Sequence, residues 1–291
     1  MAIVLGDNRY GKAETRLLRV TRRGEVHEIR ELTVGVSLSG DFSAAHLQGD
    51  NSAVLPTDSQ KNAVYAFAAD APVDDLETFA LRLARHFAAT SRAVRRATVH
   101  VDEHAWERIE GPAGLHPHAF RRAGDERRQA RVVAEPGCAW AAAGLSDLVV
   151  LKSTGSEFRG FARDRYTTLR ETGDRILATA VTARWRFSAL DVDWEASFVG
   201  ARAALLEAFA GRYSRSLQQT LYEMGRALLE ARPEVAEVRL SLPNRHHYGV
   251  DVTQFGVADR GEVFQISDRP YGLIEGTVRR DGAPDGPALD W

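Results

Sequence analysis

Residues 32–38 read Leu-Thr-Val-Gly-Val-Ser-Leu, a strict alternation of large apolar residues with small or polar ones. Successive side chains of a strand point to opposite faces, so this alternation predicts a half-buried strand with one apolar face. The preceding segment Glu14–Thr21 is predicted to pair with it through a turn at Arg22-Arg23-Gly24-Glu25. The fold is therefore expected to begin with an antiparallel hairpin.

Two helices are predicted downstream of this hairpin. Thr57-Asp-Ser-Gln60 fits a capping box, with Thr57 as the N-cap and Gln60 reaching back, and it predicts a helix through Ala63–Ala68. A second helix is predicted from near Asp74, because one helical face collects apolar residues spaced three and four apart, namely Leu76, Phe79, Leu83 and Phe87.

The pattern then returns to strands. Ala97, Val99 and Val101 alternate as a strand, and the charged segment 104–128, with its Gly and Pro residues, is interpreted as a hairpin loop with strand shoulders. A second half begins near Pro136-Gly137. Its first feature is Leu148–Leu151, a continuous apolar run that predicts a well-buried strand.

The second half repeats the order of the first. Thr182–Phe187 alternates as a strand, Asp193 can cap a helix, and Val235–Leu242 and Tyr248–Val252 are predicted closing strands. The last predicted helix carries Leu217, Leu221, Met224 and Leu228 on one face. Two strands, two helices and two strands in each half predict a duplicated α+β architecture with antiparallel sheets, divided into domains 1–135 and 136–291.

Composition excludes several classes of function. The 291 residues carry a formal net charge of −2, so nothing suggests bulk attraction to nucleic acid or to an anionic membrane. There is no apolar stretch long enough to span a bilayer, no secretion signal at the N-terminus and no Ser-Lys-Leu-like peroxisomal signal at the C-terminus. A cytoplasmic protein is expected.

A metal centre is not expected from the Cys and His residues. Cys138 is the only cysteine, so neither an intrachain disulfide nor a Cys-based metal site can form, and we expect its thiol to be buried and inert. No His-Glu-x-x-His motif occurs among the nine histidines. His246 and His247 are adjacent on a predicted strand, so one should face the interior and the other solvent.

Without a family resemblance, the candidate residues say little about function. Lys12 is most simply a solvated charge at a strand end, Phe158 a core aromatic and Gln218 a surface side chain, and Arg175 is one arginine among many. Neither a phosphate-binding Gly-rich loop nor a Gly-x-Ser-x-Gly elbow occurs. The helix starting at Thr57 offers free N–H groups, that of Asp58 among them, which suit an anion.

Eight strings of residues, in order and nearly end to end, resemble the urate oxidase family of the bacterial type. They are Tyr10-Gly-Lys-Ala-Glu14, Thr57-Asp-Ser-Gln-Lys-Asn62, Leu151-Lys-Ser-Thr-Gly-Ser-Glu-Phe158, Arg163-Asp-Arg-Tyr-Thr-Thr-Leu169, Glu171-Thr-Gly-Asp-Arg-Ile-Leu177, Ser216-Leu-Gln-Gln-Thr220, Leu242-Pro-Asn-Arg-His-His247 and Tyr271-Gly-Leu-Ile274. The segment from about Thr90 to Arg131 resembles the family least.

The resemblance implies two tandem tunnelling-fold domains per chain, with helices on one face of each antiparallel sheet. Subunits of the family pair to close a barrel, and two dimers stack into a homotetramer whose active sites lie at subunit interfaces. Closing a barrel also removes the exposed edges of a sheet, which gives a physical reason for such assembly.

Carried over position by position, the resemblance also implies a proton relay. Lys12 and Thr57, the latter from a neighbouring subunit, would pass a proton through the threonine hydroxyl, and His246 would stand behind them. Asn244 and Thr57 would flank the place above the ring where oxygen, peroxide or water is held. Lys12 can act as a base only if its charge is suppressed in the pocket.

The same resemblance implies how a flat purine anion is held. Arg175 offers a bidentate charged fork to its edge, Gln218 offers a donor and an acceptor together, and Phe158 stacks on the ring face. The remaining contacts are implied to come from the main chain at Asp58 and Leu217 and from the side chain of Ile274.

The implied reaction oxidises urate with O2 and water to 5-hydroxyisourate and hydrogen peroxide, with O2 as co-substrate and with neither cofactor nor metal. Two departures from the family pattern are Pro56, where a small residue such as alanine is expected before Thr57, and Arg245, where lysine is common. We expect Pro56 to affect the placement of Thr57 only slightly.

Two other functions stay open at this stage. One is another tunnelling-fold enzyme acting on a purine or pterin, such as a zinc-dependent hydrolase, against which the lack of paired Cys and His ligands argues. The other is a purine-binding protein without turnover, against which the presence of Lys12, Thr57 and His246 argues. Bound zinc would favour the first, and tight urate binding without oxygen consumption would favour the second.

Overall fold

The computed structural model describes residues 1–287, so the C-terminal residues 288–291, where the absence of a peroxisomal signal was noted, lie outside the described residues. The chain divides into two compact units. The first comprises Met1–Leu145, Trp185–Glu195 and, among the described residues, 284–287, and the second comprises Ser146–Arg184 and Ala196–Ala283. The predicted domain ranges 1–135 and 136–291 stay a prediction. In the described part of the chain, no helix is long and apolar enough to cross a membrane.

The first unit begins with the predicted hairpin. Strands β1 (Arg9–Arg23) and β2 (Val26–Gly40) pair antiparallel, and the two-residue turn between them contains Gly24, whose φ of 64° suits glycine. The alternating residues Leu32, Val34, Val36 and Leu38 are all buried, as predicted. The alternating residues of segment 32–38 therefore form the apolar inner face of this sheet.

Segment 104–128 forms a hairpin with strand shoulders, as predicted, but its loop is only a two-residue turn at 112–113, and the rest is strand. Strands β3 (Val94–Gly111) and β4 (Gly114–Glu135) pair antiparallel almost to their shared turn, with register shifts near Trp106 and Glu110. Its charges pair across the ribbon, as in the ion pair of Arg121 with Glu107, and Arg122 lies 4.6 Å from the Trp106 ring. An exposed ribbon stabilised by such cross-strand pairs needs no apolar alternation, so its sequence resembles a loop.

Helices cover the inner face of the first unit's sheet. They are α1 (Ser43–Gln48), α2 (Thr57–Asp70) and α3 (Leu76–Thr90), and α2 contacts β1 while α3 contacts β3 and β4. The predicted stripe of α3 is buried, since Leu76, Phe79, Leu83 and Phe87 are each at most 2% exposed. Both helices that the sequence predicted here are confirmed, and α1 was missed because a six-residue helix has no periodicity to read.

The remaining elements follow a similar order. They are β5 (Cys138–Lys152), β6 (Leu177–Phe187), α4 (Trp194–Gly211), α5 (Leu217–Ala231), β7 (Val235–Pro243), β8 (His246–Gly249), a 3-10 turn (Thr253–Phe255), β9 (Phe264–Ser267) and β10 (Leu273–Arg279). The predicted stripe of α5 is buried. Antiparallel sheets with packed helices confirm the α+β class.

Three expectations about this part of the chain were wrong. Tyr248–Val252 does not close the main sheet, because β8 pairs with β9 in a separate two-stranded sheet and β10 is the strand that pairs with β7. Leu148–Leu151 is not well buried, since Val149 and Leu151 are 50% and 52% exposed. Cys138 is exposed rather than buried, at the first position of β5 beside a turn. An apolar run in a strand still alternates between faces, whatever its composition.

Candidate active site

Lys12 lies beside an irregularity in β1. It pairs with Val36, whereas Thr15 pairs with Val34, so two residues of β1 stand opposite the single residue between those partners. Such a bulge bends a strand and re-aims its side chains, and Glu14 within it has a positive φ of 52°. Gly11 brings the two strands close, because a Cβ there would lie 1.9 Å from the Val36 carbonyl oxygen. Lys12, which is half-buried, thus lies in an ordered part of β1 next to a bulge rather than at a frayed strand end.

The start of α2 differs from the predicted capping box. The N-cap position is Pro56, at φ −52° and ψ 139°, and no side chain caps the helix; Thr57 is its first helical residue. Gln60 does reach back, but its Nε2 donates to the Leu55 carbonyl oxygen at 3.2 Å. Proline supplies the extended conformation that a capping residue needs. The Thr57 hydroxyl, which has no hydrogen-bond partner within residues 1–287, therefore remains free for a ligand.

Lys12 lies near the start of α2, because α2 contacts β1 and Tyr10, two residues before Lys12, accepts the Leu55 N–H. The exposed Asp58 carboxylate accepts a hydrogen bond from Lys61, and this bond is the main cause that lowers the pKa of Asp58. The positive charge of Lys12 lowers that pKa further. Lys12, Thr57 and Asp58 thus form one group, called here the relay group, within the first unit of a single chain.

In the second unit, a long loop carries Phe158 and Arg175. This loop connects β5 to β6 and is held by short backbone pairings rather than by regular strands. Phe158 N–H donates to the Thr172 carbonyl at 3.0 Å, and Arg175 N–H donates to the Ser156 carbonyl at 2.8 Å. Loops of this length in compact proteins are commonly functional. These hydrogen bonds hold the backbone of Phe158 and Arg175 in place.

Arg175 and Phe158 are in contact. The guanidinium carbon of Arg175 lies 5.1 Å from the centroid of the Phe158 ring, and Phe161 stacks on that ring at 5.0 Å and 14°. Burial lowers the pKa of Arg175, yet the guanidinium stays charged at neutral pH. Its Nε is buried and has no hydrogen-bond partner in the described part of the chain. A buried cationic donor without a partner beside an aromatic face fits a flat anion.

The start of α5 supplies Leu217 and Gln218. Ser216 caps this helix by accepting from the Gln219 N–H at 3.1 Å, and the Gln219 side chain accepts from the Arg215 N–H at 2.9 Å. Leu217 is 2% exposed, whereas Gln218 is exposed and its amide has no partner among residues 1–287. The sequence prediction of Gln218 at a helix start is confirmed, and the cap leaves that amide available.

Asn244 and His246 follow the end of β7. Asn244 N–H donates to the Gly272 carbonyl at 2.8 Å. Ile274 of β10 pairs with Leu242 of β7. Burial, then the charges of Arg175 and His247, lower the pKa of His246. His246 and Arg175 are therefore near one another, and His246 is neutral at neutral pH.

The expectation that one of His246 and His247 faces the interior was wrong. Both are half-buried. The His246 ring stacks with Tyr248 at 5.7 Å, and His247 Nδ1 lies 3.1 Å from the Arg245 carbonyl oxygen. Because β8 belongs to a two-stranded ribbon, neither of its faces covers a core.

The structure thus sorts the predicted site residues into two groups. The relay group lies on the first unit, and the purine group lies on the second; the purine group is defined as Phe158, Arg175, Leu217, Gln218, Asn244, His246 and Ile274. The sequence reasoning missed Tyr10, whose Oη accepts the Leu55 N–H at 2.9 Å. Its place in the string Tyr10–Glu14 was the signal that could have identified it. In the part of the chain that is described, no three His, Cys, Asp or Glu side chains are arranged to hold a metal ion.

Comparison with known proteins gives one consistent result. A family model described as Uricase matches residues 8–133 and 141–275. The chain is 50% identical to a uricase from Arthrobacter globiformis over 97% of this chain and 91% of that protein, and 39% identical to a uricase from Dictyostelium discoideum over 94% and 96%. The crystal structure of the Arthrobacter globiformis uricase superposes with a TM-score of 0.93 at 49% identity, covering 99% of each chain.

Proposed function

The chain belongs to the uricase family, and we propose that this urate oxidase converts urate, O2 and water to 5-hydroxyisourate and hydrogen peroxide without metal or organic cofactor. Urate gives up two electrons and two protons, O2 takes both pairs to become hydrogen peroxide, and water adds to the oxidised ring. The fold is the tunnelling fold of the solved uricases, and 1–135 and 136–291 are proposed as its tandem domains.

One observation carries the proposal on the substrate side. The Arg175 Nε is buried without a partner in the described residues, and its guanidinium contacts the Phe158 ring. A purine anion satisfies both features, because its edge accepts hydrogen bonds from the guanidinium while its face stacks on phenylalanine. The free amide of Gln218 adds a donor and an acceptor for the same edge. These contacts are proposed to select a flat anion that presents acceptors along one edge.

The relay group is proposed to handle the protons. The free hydroxyl of Thr57 can accept one proton while donating another, so it can transfer a proton between the substrate and Lys12. His246, which is neutral at neutral pH, can accept the proton next. A fully deprotonated urate is a strong reductant, so the protein needs to hold the anion, remove its protons and control water.

The two groups are proposed to meet across a subunit interface of a homotetramer, as the family resemblance implies. Lys12 lies beside Asp58 in the same chain, so Lys12 and Thr57 are proposed to come from one subunit together. The resemblance implies that Thr57 comes from a neighbouring subunit, and the proposal adds that Lys12 comes from that same subunit. The neighbouring subunit then supplies the purine group.

The test follows urate absorbance and oxygen uptake together in metal-stripped protein. Wild type should consume both in equal amounts. Lys12→Met should lose at least a hundredfold in kcat, since general base catalysis contributes about 10²–10⁴. Lys61→Met is the matched control, because Lys61 also pairs with Asp58 and is half-buried like Lys12, but it is not part of the relay group. Urate binding without oxygen uptake, or activity only after metal is restored, would refute the proposed mechanism.

A further inference from the structure

The backbone of Leu55, just before α2, is held by two side chains. The N–H of Leu55 donates to Tyr10 Oη at 2.9 Å, and the carbonyl of Leu55 accepts from Gln60 Nε2 at 3.2 Å. The next residue, Pro56, has no N–H to donate. The N–H and the carbonyl of Leu55 are therefore both hydrogen-bonded to side chains, and Thr57 is only two residues away.

Tyr10 is itself firmly placed. Its ring meets the ring of Phe42 edge to face, with centroids 4.8 Å apart and planes at 89°, and Phe42 is 1% exposed. Burial raises the pKa of Tyr10 against the lowering effect of the Leu55 bond, so the phenol is neutral at physiological pH. A neutral hydroxyl fixed by a buried aromatic contact makes a stable acceptor for a backbone N–H.

The position of Tyr10 in β1 relates its hydrogen bond with Leu55 to Lys12. Tyr10 and Lys12 pair with Leu38 and Val36, before the bulge, so their side chains lie on the same face of the strand. Leu55 stands two residues before Thr57, just as Tyr10 stands two before Lys12. One hydrogen bond thus joins the two segments that carry the relay group.

We propose that Tyr10 is a positioning residue that sets the separation of Lys12 and Thr57, with Gln60 holding the same peptide from the other side. This inference rests on the proposed function, because the distance matters only if a proton passes between the two side chains. Proton transfer requires hydrogen-bond contact, and a displacement of about 1 Å can lower a rate by up to a hundredfold. Most of the implied substrate contacts come from the purine group on other elements, so Tyr10→Phe should change substrate affinity less than it changes kcat.

Tyr10→Phe tests the inference directly, with Tyr65→Phe as its matched control. Tyr65 also links α2 to β1, through a bond of 3.5 Å from its hydroxyl to the Arg16 carbonyl, but it is 43% exposed and lies away from the relay group. We expect Tyr10→Phe to lower kcat about tenfold and to leave KM for urate within about twofold. Tyr65→Phe should match wild type in both.

Amide hydrogen exchange of the segment 53–60 gives a readout that needs no turnover. The Leu55 amide should exchange faster in Tyr10→Phe than in wild type or Tyr65→Phe, because it has lost its acceptor. Gln60→Met, a second variant of similar size, should lower kcat in the same direction by loosening the carbonyl side.

The outcomes separate the inference from the proposed function. If wild type fails to oxidise urate, the proposed function fails, whatever the exchange data show. If wild type is active and Tyr10→Phe retains its kcat, the positioning role is overturned. A rise in KM as large as the fall in kcat, or unchanged exchange at Leu55, would overturn it as well.

Discussion

Arg175 combines charge, burial and an unsatisfied donor in one side chain. Its Nε has no partner within the described residues, and its guanidinium contacts Phe158. Lysine at this position would keep the charge but lose the planar fork, so Arg175→Lys should raise the Kd for urate roughly 10–100-fold, as expected for lost charge-assisted hydrogen bonds. Anaerobic titration with urate measures this without turnover.

The control for Arg175→Lys is Arg82→Lys. Arg82 also lies over a phenylalanine, 5.4 Å from the Phe67 ring, and it pairs with Asp70 on the surface of the first unit. Its replacement should leave the Kd for urate unchanged. Equal effects of the two substitutions would mean that the loss does not come from a fork that Arg175 offers to the ligand.

Some site residues could be predicted from local sequence and others could not. The helix start at Thr57 could be predicted, because its signal is local, but the prediction assigned Thr57 to the cap that Pro56 occupies. Tyr10 could not be found from local pattern, since its partner Leu55 lies 45 residues away and offers only a backbone N–H. The roles of Arg175 and Gln218 came from the family resemblance, because an isolated arginine or glutamine carries no periodic signal.

Whole elements were predictable wherever one face meets a core. The alternation of 32–38 and the stripe of α3 are imposed by burial, so both could be predicted. The ribbon of β3 and β4 between residues 104 and 128 and the end strand β10 could not, since their residues are exposed or half-buried and none is buried. Cross-strand ion pairs stabilise such segments, and those pairs depend on a register that the sequence does not display.

Helix α3 carries a buried carboxylate that should affect stability. Glu77 is fully buried and its Oε2 lies 3.3 Å from an Arg128 nitrogen, yet burial raises the pKa of Glu77 to about 7 from its ordinary value of 4.5. Between these values the folded chain binds more protons than the unfolded chain does. Stability therefore declines as pH rises from about 5 to above 7, by on the order of 1–3 kcal/mol.

Glu77→Gln should remove this decline, because the amide does not titrate. Thermal unfolding between pH 5 and pH 8.5 measures it, and Glu195→Gln is the control. Glu195 is the exposed second partner of Arg128, with its side chain 59% exposed, so its loss should leave the pH dependence as in wild type. A Glu77→Gln protein whose melting temperature still falls with pH as in wild type would show that another group titrates.

At the scale of the whole molecule, a single chain leaves much apolar surface uncovered. In the second unit, a run of large side chains after β7 is about half exposed or more, namely Tyr248, Phe255, Val257, Val263, Ile266, Tyr271 and Leu273. Strand β1 stands at one end of its sheet and is 15 residues long. Exposed apolar surface and a long open edge are typical of chains that assemble, which supports the proposed homotetramer.

The sequence could not predict from its own patterns how the site divides between chains. Local signals place residues on elements, and the resemblance implies interfaces, but which group comes from which subunit depends on assembly. We propose a simple division, because Lys12 and the start of α2 are neighbours within one chain. Each chain is therefore proposed to contribute one relay group to one site and one purine group to another.

This division predicts that two inactive variants restore one another. Lys12→Met lacks a working relay group and Arg175→Gln lacks a working purine group, so each alone should be nearly inactive. In a mixed pair with two-fold symmetry, one site combines both defects and the other combines neither. Random assembly of equal amounts should therefore recover about a quarter of the wild-type sites. Urate oxidation by the co-expressed variants measures this. Mixing two preparations of Lys12→Met that carry different tags provides the control. No recovery in confirmed mixed oligomers would mean that each site is built from one chain.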